Sequence, residues 1–345
     1  MNLKKKILTH NKLSAAVTSS CLLATLSFTP VIQAEDLLDV YGLAYQTDPV
    51  LKQVISQRQA IGEGSVQAFS RFLPVISASA DTSGNNNDKP KTRDSDTSYN
   101  RHGYSLDLNQ SLFDNSNYVN YKISNLEISK ADAFLNAAQQ DLIIRSADAY
   151  FRTLAAIDKV GFTKAERKAI SRQLDQAKRR YEVGIIAITD VHEAQAGFDN
   201  ANAQVISAEN ELLITKEVLR ELTGQYIDIV SALSEKIPLS PPTPEKIMHW
   251  VDQALSGNYT LLAAKEDTLV KKENINLQRS GHYPTLGLTA SYGYSKDNLS
   301  RSFESSSQSK DSSIGVNISI PIYEGNSVVS KTRQAQYDFQ QSQEA

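Results

Sequence analysis

Few residues in this chain belong to the types that perform catalysis or hold metals. Beyond residue 34 there is no cysteine, and four histidines stand far apart without a cysteine or carboxylate at ligand spacing. The sequence also has no G-x-S-x-G, no H-E-x-x-H and no phosphate-binding glycine loop. We therefore expect no enzyme activity, no metal and no cofactor, and we interpret His192, near Asp190, as an exposed helical residue. The histidines are His102, His192, His249 and His282.

The stretch RRYEVGIIAITDVHEAQA at 179–196 places apolar residues where two helical runs meet. Gly184 carries no Cβ and permits a tight reversal of the chain. The residues around it, including Ile185 and Ile186, are apolar and would be exposed to water at such a turn, so we expect another surface to cover them. The same stretch predicts Thr189 as the N-cap of the following helix, with Asp190 at N1 favoured by the helix dipole.

The first 34 residues have the pattern of an export signal. A lysine-rich start precedes an apolar run that ends in IQA, so we expect cleavage before Glu35. A membrane anchor or a lipidated Cys21 fits the pattern less well. Removing this segment removes four lysines and no acid, which takes the formal charge from −3 to −7 and excludes a basic nucleic-acid-binding surface. No later apolar run reaches about 18 residues, so no transmembrane helix is predicted.

A weak internal repeat relates two parts of the chain at an offset of 210 positions. SRFLPVISASAD at 70–81 aligns with SGHYPTLGLTAS at 280–291, and YSLDLNQSLFDN at 104–115 aligns with IGVNISIPIYEG at 314–325. A third segment further upstream keeps the same offset. This pattern predicts a duplicated unit of helix, strand, polar loop, strand and helix.

Each unit contains two segments in which apolar and polar residues alternate, predicting four strands of about ten residues. We expect the polar stretches at 82–102 and 295–313 to be solvated loops, and the acidic triplet at 94–96 to belong to such a loop rather than to a metal site. The face predicted to meet lipid comprises Ile76, Leu106, Leu108, Leu286, Leu288, Tyr292, Val316 and Ile318. The face predicted to line a lumen comprises Ser77, Ser79, Asp107, Asn109, Thr289 and Asn317.

Such alternation fits an antiparallel sheet over a soluble core and also a transmembrane barrel. Export, strands long enough for a tilted crossing and long hydrophilic loops on one side favour the barrel. Lipid tolerates no open sheet edge, and the smallest membrane barrels have about eight strands. Four strands cannot close alone, so we expect copies of the chain to share one barrel.

The helical runs are too long for a small globular domain. From 115 to about 183 there is no proline and one glycine, which predicts a helix of roughly 100 Å at about 1.5 Å per residue. The return helix, from about 187 to 222, has an unbroken apolar heptad. Two apolar stripes on the outgoing helix indicate two neighbours, as in a wall of helices. The first stripe is Ile143, Ala147, Tyr150, Leu154 and Ile157, and the second is Ala131, Leu135, Ala138 and Leu142.

These elements predict an α+β membrane protein in which a long α-helical coiled-coil wall continues four transmembrane strands. The segment 224–257, which includes a proline-rich stretch, is expected to lie outside the main wall, with a short helix opening at 243–245. The predicted divisions are a signal peptide at 1–34, a first helical segment at 35–72, a β-hairpin at 73–114, a long α-hairpin at 115–223 with its tip near 182–188, a mixed segment at 224–257, a second-repeat helix at 258–283, a second β-hairpin at 284–324 and the start of a long helix at 325–345.

Taken together, the export signal, the duplicated units and the turn motif Y-x-x-G-x-x-x-x-T-D resemble the TolC-type outer-membrane efflux protein family. In this sequence Tyr181, Gly184, Thr189 and Asp190 form the motif. AYFRTLAAID, LTGQY, LPVISASAD and PIYEG also resemble segments of the family. The resemblance covers essentially all of 35–345.

The resemblance implies a homotrimer in the outer membrane that extends into the periplasm. Each subunit would lend four strands to a twelve-stranded barrel, and substrates would leave through the lumen without chemistry. A periplasmic adaptor protein and an inner-membrane transporter would dock at the tip, and no nucleic acid is implied. In the family the Thr-Asp pair also bonds to a Tyr and an Arg of the second hairpin. The tip residues expected to dock are Tyr181, Val183, Gly184, Ile186, Thr189 and Asp190.

The sequence departs from the family at its end. Ala345 lies within a helical pattern and corresponds to Leu135 of the first unit, so we expect a fragment without the second tip and its gate residues. Two other interpretations stay open: a duct dedicated to type I protein secretion, and a periplasmic structural coiled-coil protein without a pore.

Overall fold

The computed structural model describes residues 34–87, 97–233, 241, 243–244, 246–299 and 307–344. In these residues the chain forms seven α-helices, four strands and one 3₁₀ turn at Ser280–His282. The helices are α1 (Leu37–Thr47), α2 (Pro49–Ser70), α3 (Asn115–Glu182), α4 (Ile188–Thr223), α5 (Ile247–Gly257), α6 (Tyr259–Arg279) and α7 (Ser327–Glu344). The strands are β1 (Val75–Asn87), β2 (Thr97–Phe113), β3 (Thr285–Leu299) and β4 (Ser307–Ser319).

Some of the sequence predictions concern residues outside these ranges. Positions 1–33 of the predicted signal peptide lie outside the described residues. The centres of both hairpin loops, including the acidic triplet at 94–96, also lie outside them. Among the helices that the structure describes, none combines the length and the apolar character needed to cross a bilayer.

The secondary structure repeats with the offset of 210 found in the sequence. Helices α1 and α5 have 11 residues each and begin at Leu37 and Ile247, 210 positions apart. Helices α2 and α6 begin at Pro49 and Tyr259 with the same separation, and so do the strands β1 and β3 and the strands β2 and β4. The two halves are therefore copies of one unit, with an offset of 210 up to the strands and of 212 between the starts of α3 and α7.

The four strands form one antiparallel sheet in the order β1-β2-β3-β4. They are longer than the ten residues predicted, with 17 residues in β2 and 15 in β3. The expectation of loops throughout 82–102 and 295–313 was wrong, because pairing continues through polar residues at both ends. Arg101, for example, pairs in register with Asp297 and their side chains form an ion pair of 2.7 Å. Backbone hydrogen bonds need no apolar side chain, and cross-strand pairs of opposite charge support the pairing.

Helix α3 runs for 68 residues without interruption, which corresponds to about 100 Å. Its start is fixed by Asp114, whose carboxylate accepts from the Ser116 N–H at 2.8 Å. Helix α4 returns along it over 36 residues. The heptad predicted on α4 is buried at Ala201, Val205, Ala208, Leu219 and Leu222, so α4 packs through the expected face.

The first stripe predicted on α3 is confirmed only in part, because Tyr150 is buried and Leu154 packs against the core, whereas its two isoleucines are exposed. Ile143 and Ile157 are 53% and 37% exposed, and the buried line lies beside them. It passes through Ser146 and Thr153, which are 0% exposed. Small hydroxyl residues let the helices approach closely, whereas a search for large apolar residues overlooks them. The buried line is Leu142, Ser146, Ala149, Tyr150, Thr153, Ala156 and Val160. In the second stripe Ala131 and Leu142 are buried as expected.

A hydrophobic core joins α1 to α3 and α4. Val40 and Ala44 of α1 and Leu219 of α4 are fully buried in it. Ile227 and Val230 belong to the same core, so part of the segment 224–257 packs against the helices instead of lying outside them. The helix expected to open at 243–245 starts later, at Ile247, and α5 has no buried residue.

Candidate docking tip and two-faced sheet

The turn between α3 and α4 is a Schellman motif built around Gly184. This glycine has φ +77°, a left-handed conformation that L-residues rarely adopt. Its N–H donates to the Tyr181 carbonyl at 2.8 Å, and the Ile185 N–H donates to the Arg180 carbonyl at 2.9 Å. Two orphan carbonyls of α3 are thereby satisfied, and Arg179 and Arg180 lie in its last turn, where the helix dipole favours positive charge. The predicted reversal at Gly184 is confirmed.

The prediction for the start of α4 was wrong by two positions. Ala187 is the N-cap, Ile188 is N1, and Asp190 is N3. The Asp190 carboxylate accepts from the Ala187 N–H at 3.3 Å, which satisfies one donor of the cap, while the alanine side chain has no atom that could accept in return. Thr189, expected to cap the helix, lies at N2. Ala187 has an extended backbone, with φ −79° and ψ 158°, and helical geometry begins at the next residue, Ile188. The helix therefore starts two residues earlier than the motif suggested.

The tip is apolar and open to solvent in the single chain. Val183 and Ile185 are 70% and 64% exposed, and Tyr181 and Ile188 are nearly half exposed. Ile186 is partly buried. No other residue lies within 4 Å of where a Gly184 side chain would begin, in the part of the chain that the structure describes. An exposed cluster of branched residues on a rigid turn has the properties of a contact surface.

The strand register sorts the predicted sheet residues onto opposite faces. Ile76 pairs with Leu108, Leu106 with Tyr292, and a Tyr104–Tyr294 stack of 5.2 Å extends the same face. This face carries all eight residues predicted to meet lipid, namely Ile76, Leu106, Leu108, Leu286, Leu288, Tyr292, Val316 and Ile318. The opposite face carries all six predicted to line a lumen, namely Ser77, Ser79, Asp107, Asn109, Thr289 and Asn317.

The polar face is held together by hydroxyl and charged pairs. The Ser79 and Ser105 hydroxyls lie 2.9 Å apart, and the Ser105 hydroxyl also donates to Asp107 at 2.7 Å. Further along the same face Arg101 makes two bonds to Asp297, at 2.7 and 2.9 Å. The sequence did not reveal this ion pair because 196 positions separate its members. The apolar face, by contrast, offers exposed side chains such as Val316 at 61% and Ile318 at 66%.

A buried ion pair that the sequence also did not reveal fixes α3 to the start of α2. Asp48 is 1% exposed, and its two oxygens accept from Arg145 Nη1 and Nη2 at 3.0 and 2.9 Å. The Leu51 N–H donates to Asp48 Oδ2 at 2.8 Å and caps α2. Burial alone would raise the pKa of Asp48, but the hydrogen bonds from Arg145 and the backbone outweigh it and hold the pKa below its ordinary value.

No arrangement suited to metal chemistry is present in the described ranges. The structure brings together no group of three or more histidine, cysteine, aspartate or glutamate side chains that could hold an ion. His192 is exposed on α4, as expected from its sequence. The features of the molecule that invite interaction are therefore the tip and the two faces of the sheet.

Comparison with known proteins identifies the family. The family described as outer membrane efflux protein matches residues 40–225 and 250–345. The chain is 38% identical over 323 residues to the outer membrane protein TolC of Vibrio cholerae, covering 93% of this chain and 72% of that protein. It is 35% identical over 318 residues to TolC of Salmonella enteritidis, covering 90% of this chain and 64% of that protein. The chain therefore spans about two thirds of the length of these relatives.

The fold also matches solved channels. The CmeC outer membrane channel of Campylobacter jejuni aligns with a TM-score of 0.72 and 18% identity, covering 89% of this chain and 66% of that one. This likeness confirms the predicted α+β channel fold, and the TolC relatives confirm the resemblance noted in the turn motif and repeats. Family and relatives are outer-membrane proteins, so this chain is an outer-membrane protein too. It belongs to the outer membrane efflux protein family.

Proposed function

We propose that the chain is a subunit of a passive exit duct through the outer membrane. The observation that carries this proposal is a four-stranded sheet with one apolar and one polar face, joined directly to one helix about 100 Å long, α3. Its eight apolar residues would meet lipid and its six polar residues would line the lumen. The polar face offers hydroxyl, amide and carboxylate groups to water, which suits an aqueous passage.

The edges of the sheet support assembly from several copies. In the described sheet β1 and β4 each pair on one side only. Lipid leaves no water to satisfy the other side, so the edges of one copy would have to pair with those of the next. Three copies would give twelve strands, above the minimum of about eight known for membrane barrels. A homotrimer is therefore our proposal for the assembly.

The tip at the α3–α4 turn is the proposed docking surface. Its exposed residues would pack against a periplasmic adaptor protein, which in turn would connect the duct to an inner-membrane transporter. Tyr181, Val183 and Ile186 would provide apolar contacts, while Gly184 and the Asp190 cap would hold the turn rigid. Thr189, which does not cap α4, has a hydroxyl free for such a contact in the described part of the chain. The proposed tip residues are Tyr181, Val183, Gly184, Ile186, Thr189 and Asp190.

The cargo would be small molecules, drugs or exported proteins, because a passive duct lets its cargo pass without reacting with it. We propose no enzymatic step. A dedicated type I secretion duct would use the same architecture. A periplasmic coiled coil without a pore would instead leave several branched side chains of the apolar sheet face in contact with water, which is unfavourable.

The proposal is tested by two neighbouring arginine substitutions in the full-length protein. Leu288→Arg places a charge on the apolar face, which near the bilayer midplane costs about 2–4 kcal/mol, so the protein should be lost from the outer-membrane fraction. Thr289→Arg places the same charge on the polar face and should assemble at wild-type level, with drug susceptibility unchanged. Equal damage from both substitutions, or recovery of the wild-type protein in the soluble periplasmic fraction, would contradict the proposal.

A further inference from the structure

A cationic cavity of about 490 Å³ lies where the second unit passes from helix to sheet. One wall is the end of α6 and the 3₁₀ turn, with Arg279, His282 and Tyr283. The other wall is the start of α7, with Thr332, Arg333 and Gln336. Strand β3 begins two residues after Tyr283, at Thr285. The cavity therefore opens at the helix-side rim of the sheet.

Several polar groups of this cavity have no partner among the residues that the structure describes. Neither Arg279 nor Arg333 has an ion pair or hydrogen bond among the described residues, and no carboxylate lines the cavity there. The Thr332 hydroxyl oxygen is buried and makes no hydrogen bond with any described residue. A buried hydroxyl without a partner normally costs about 1–3 kcal/mol, so its presence beside two free guanidinium groups indicates a missing acceptor. In a chain of net charge −3 this concentration of positive charge needs a cause.

The other copy of the unit shows that the fold does not require these cations. At the offset of 210, Arg279 corresponds to Phe69 and His282 to Phe72. In the first unit these rings pack on Tyr121, with centroids 5.9 and 6.3 Å from it. Helix α7 begins 212 positions after α3, so Arg333 corresponds to Tyr121, the residue on which both rings pack. An apolar contact thus serves the same junction in one unit, and the second unit has replaced it with charged and hydrogen-bonding groups.

We propose that this cavity binds the phosphate of a membrane phospholipid headgroup at the periplasmic surface of the outer membrane. The proposal rests on the orientation given under the proposed function, which puts the helix-side rim of the sheet at that depth. Two guanidinium groups suit a phosphate because each can donate two parallel hydrogen bonds to its oxygens. Rotation of the Thr332 side chain, which lines the cavity, would let its hydroxyl donate to a further phosphate oxygen. Tyr283 is 51% exposed and has the character of residues that lie at membrane surfaces.

The test replaces the site by the residues of the first unit. Full-length protein carrying Arg279→Phe and Arg333→Tyr is purified in detergent beside the wild type. A control variant, Arg172→Gln, changes an exposed arginine on α3 that lies far along the chain from the cavity. Retained lipid is counted by native mass spectrometry after incubation with phosphatidylglycerol, with diacylglycerol as the lipid without phosphate. A competition arm adds inorganic phosphate. Outer-membrane fractionation is measured separately and reports on the duct proposal alone.

We expect the wild type and Arg172→Gln to retain phosphatidylglycerol but not diacylglycerol, and the double variant to retain at least tenfold less while still reaching the outer membrane. Equal retention by the double variant, or no retention by the wild type, would overturn the site. Displacement of the lipid by millimolar inorganic phosphate would overturn the lipid source and point to a soluble phosphate ligand. A protein absent from the outer membrane that still retains the lipid through these arginines would defeat the duct proposal and leave the phosphate site standing.

Discussion

Removing Arg145 should harm the protein more than neutralising its partner Asp48. Arg145→Ala would leave a carboxylate that is 1% exposed with only backbone donors around it. Breaking a buried pair in this direction costs about 3–5 kcal/mol, because an unpaired charge stays buried. The reverse change is milder, since the Arg145 side chain is 29% exposed and keeps an ion pair of 2.7 Å with Asp141.

Asparagine at position 48 should also preserve the cap of α2. Asn258 occupies the corresponding position in the second unit and accepts from the Thr260 and Leu261 N–H groups at 2.9 and 3.2 Å. Asp48→Asn keeps one acceptor oxygen for the cap and for Arg145 Nη2, but its amide nitrogen cannot accept from Arg145 Nη1. It therefore loses one hydrogen bond and the charge-assisted part of the contact, about 1–2 kcal/mol, because the partly exposed Arg145 can move towards Asp141. Combining Asp48→Asn with Arg145→Ala removes the buried charge altogether, so the double variant should be more stable than Arg145→Ala alone.

The assay is the thermal unfolding midpoint of the purified full-length protein, followed by circular dichroism at neutral pH. We expect the order wild type, then Asp48→Asn, then the double variant, with Arg145→Ala lowest. The control is Arg152→Ala, which removes an exposed pair with Asp148 (side chains 72% and 56% exposed) and should leave the midpoint nearly unchanged. An Arg145→Ala midpoint equal to that of the control, or a double variant as unstable as Arg145→Ala, would refute the reasoning.

Three further predictions follow from single positions. Because the folded-state pKa of Asp48 is depressed, its contribution is fully present above the ordinary carboxylate pKa of about 3.9 and is lost as the pH falls through the lower folded value, so the difference between the midpoints of wild type and Asp48→Asn should shrink as the pH is lowered below about 3.9. Gly184→Val forces a β-branched residue to φ +77°, at a cost of about 1–2 kcal/mol; drug susceptibility should rise while the assembled protein level stays normal, and unchanged resistance would count against a docking role for the tip. Gly281→Ala places a Cβ 2.8 Å from Val328 Cγ2 and should lower the thermal midpoint, whereas Gly161→Ala meets no atom within 4 Å in the described structure and should not; identical midpoints would show that α7 can shift freely.

Most of the correct predictions made from the sequence rest on local periodicity. The two faces of the sheet follow from strict alternation, because a strand sends successive side chains to opposite sides whatever its neighbours are. The length of α3 follows from the absence of proline over 115–182, and the reversal at Gly184 follows from the residue type that adopts a left-handed backbone most readily. The repeat offset then located equivalent elements in both units without any knowledge of their contacts.

The sequence did not predict contacts between residues that lie far apart along the chain. Asp48 and Arg145 are separated by 97 positions, and nothing in their local surroundings indicates that they meet. Ser146 and Thr153 were not expected in the seam because their types are common on surfaces, and only close packing of α3 against its neighbours buries them. The N-cap at Ala187 violates the usual preference for a hydroxyl or carboxylate, so a rule based on residue type chose Thr189 instead.

The open edges of β1 and β4 have a consequence for how the protein is made. A newly exported copy carries two rows of unsatisfied backbone donors and acceptors, which attract any other strand they encounter. In the proposed homotrimer each of these edges would have to pair with an edge of another copy, so a copy that meets an unrelated strand first would be lost to aggregation. A variant with one damaged edge could still pair through the other edge, so it would enter mixed complexes and disable them, and such an allele would be dominant over the wild type in the same cell.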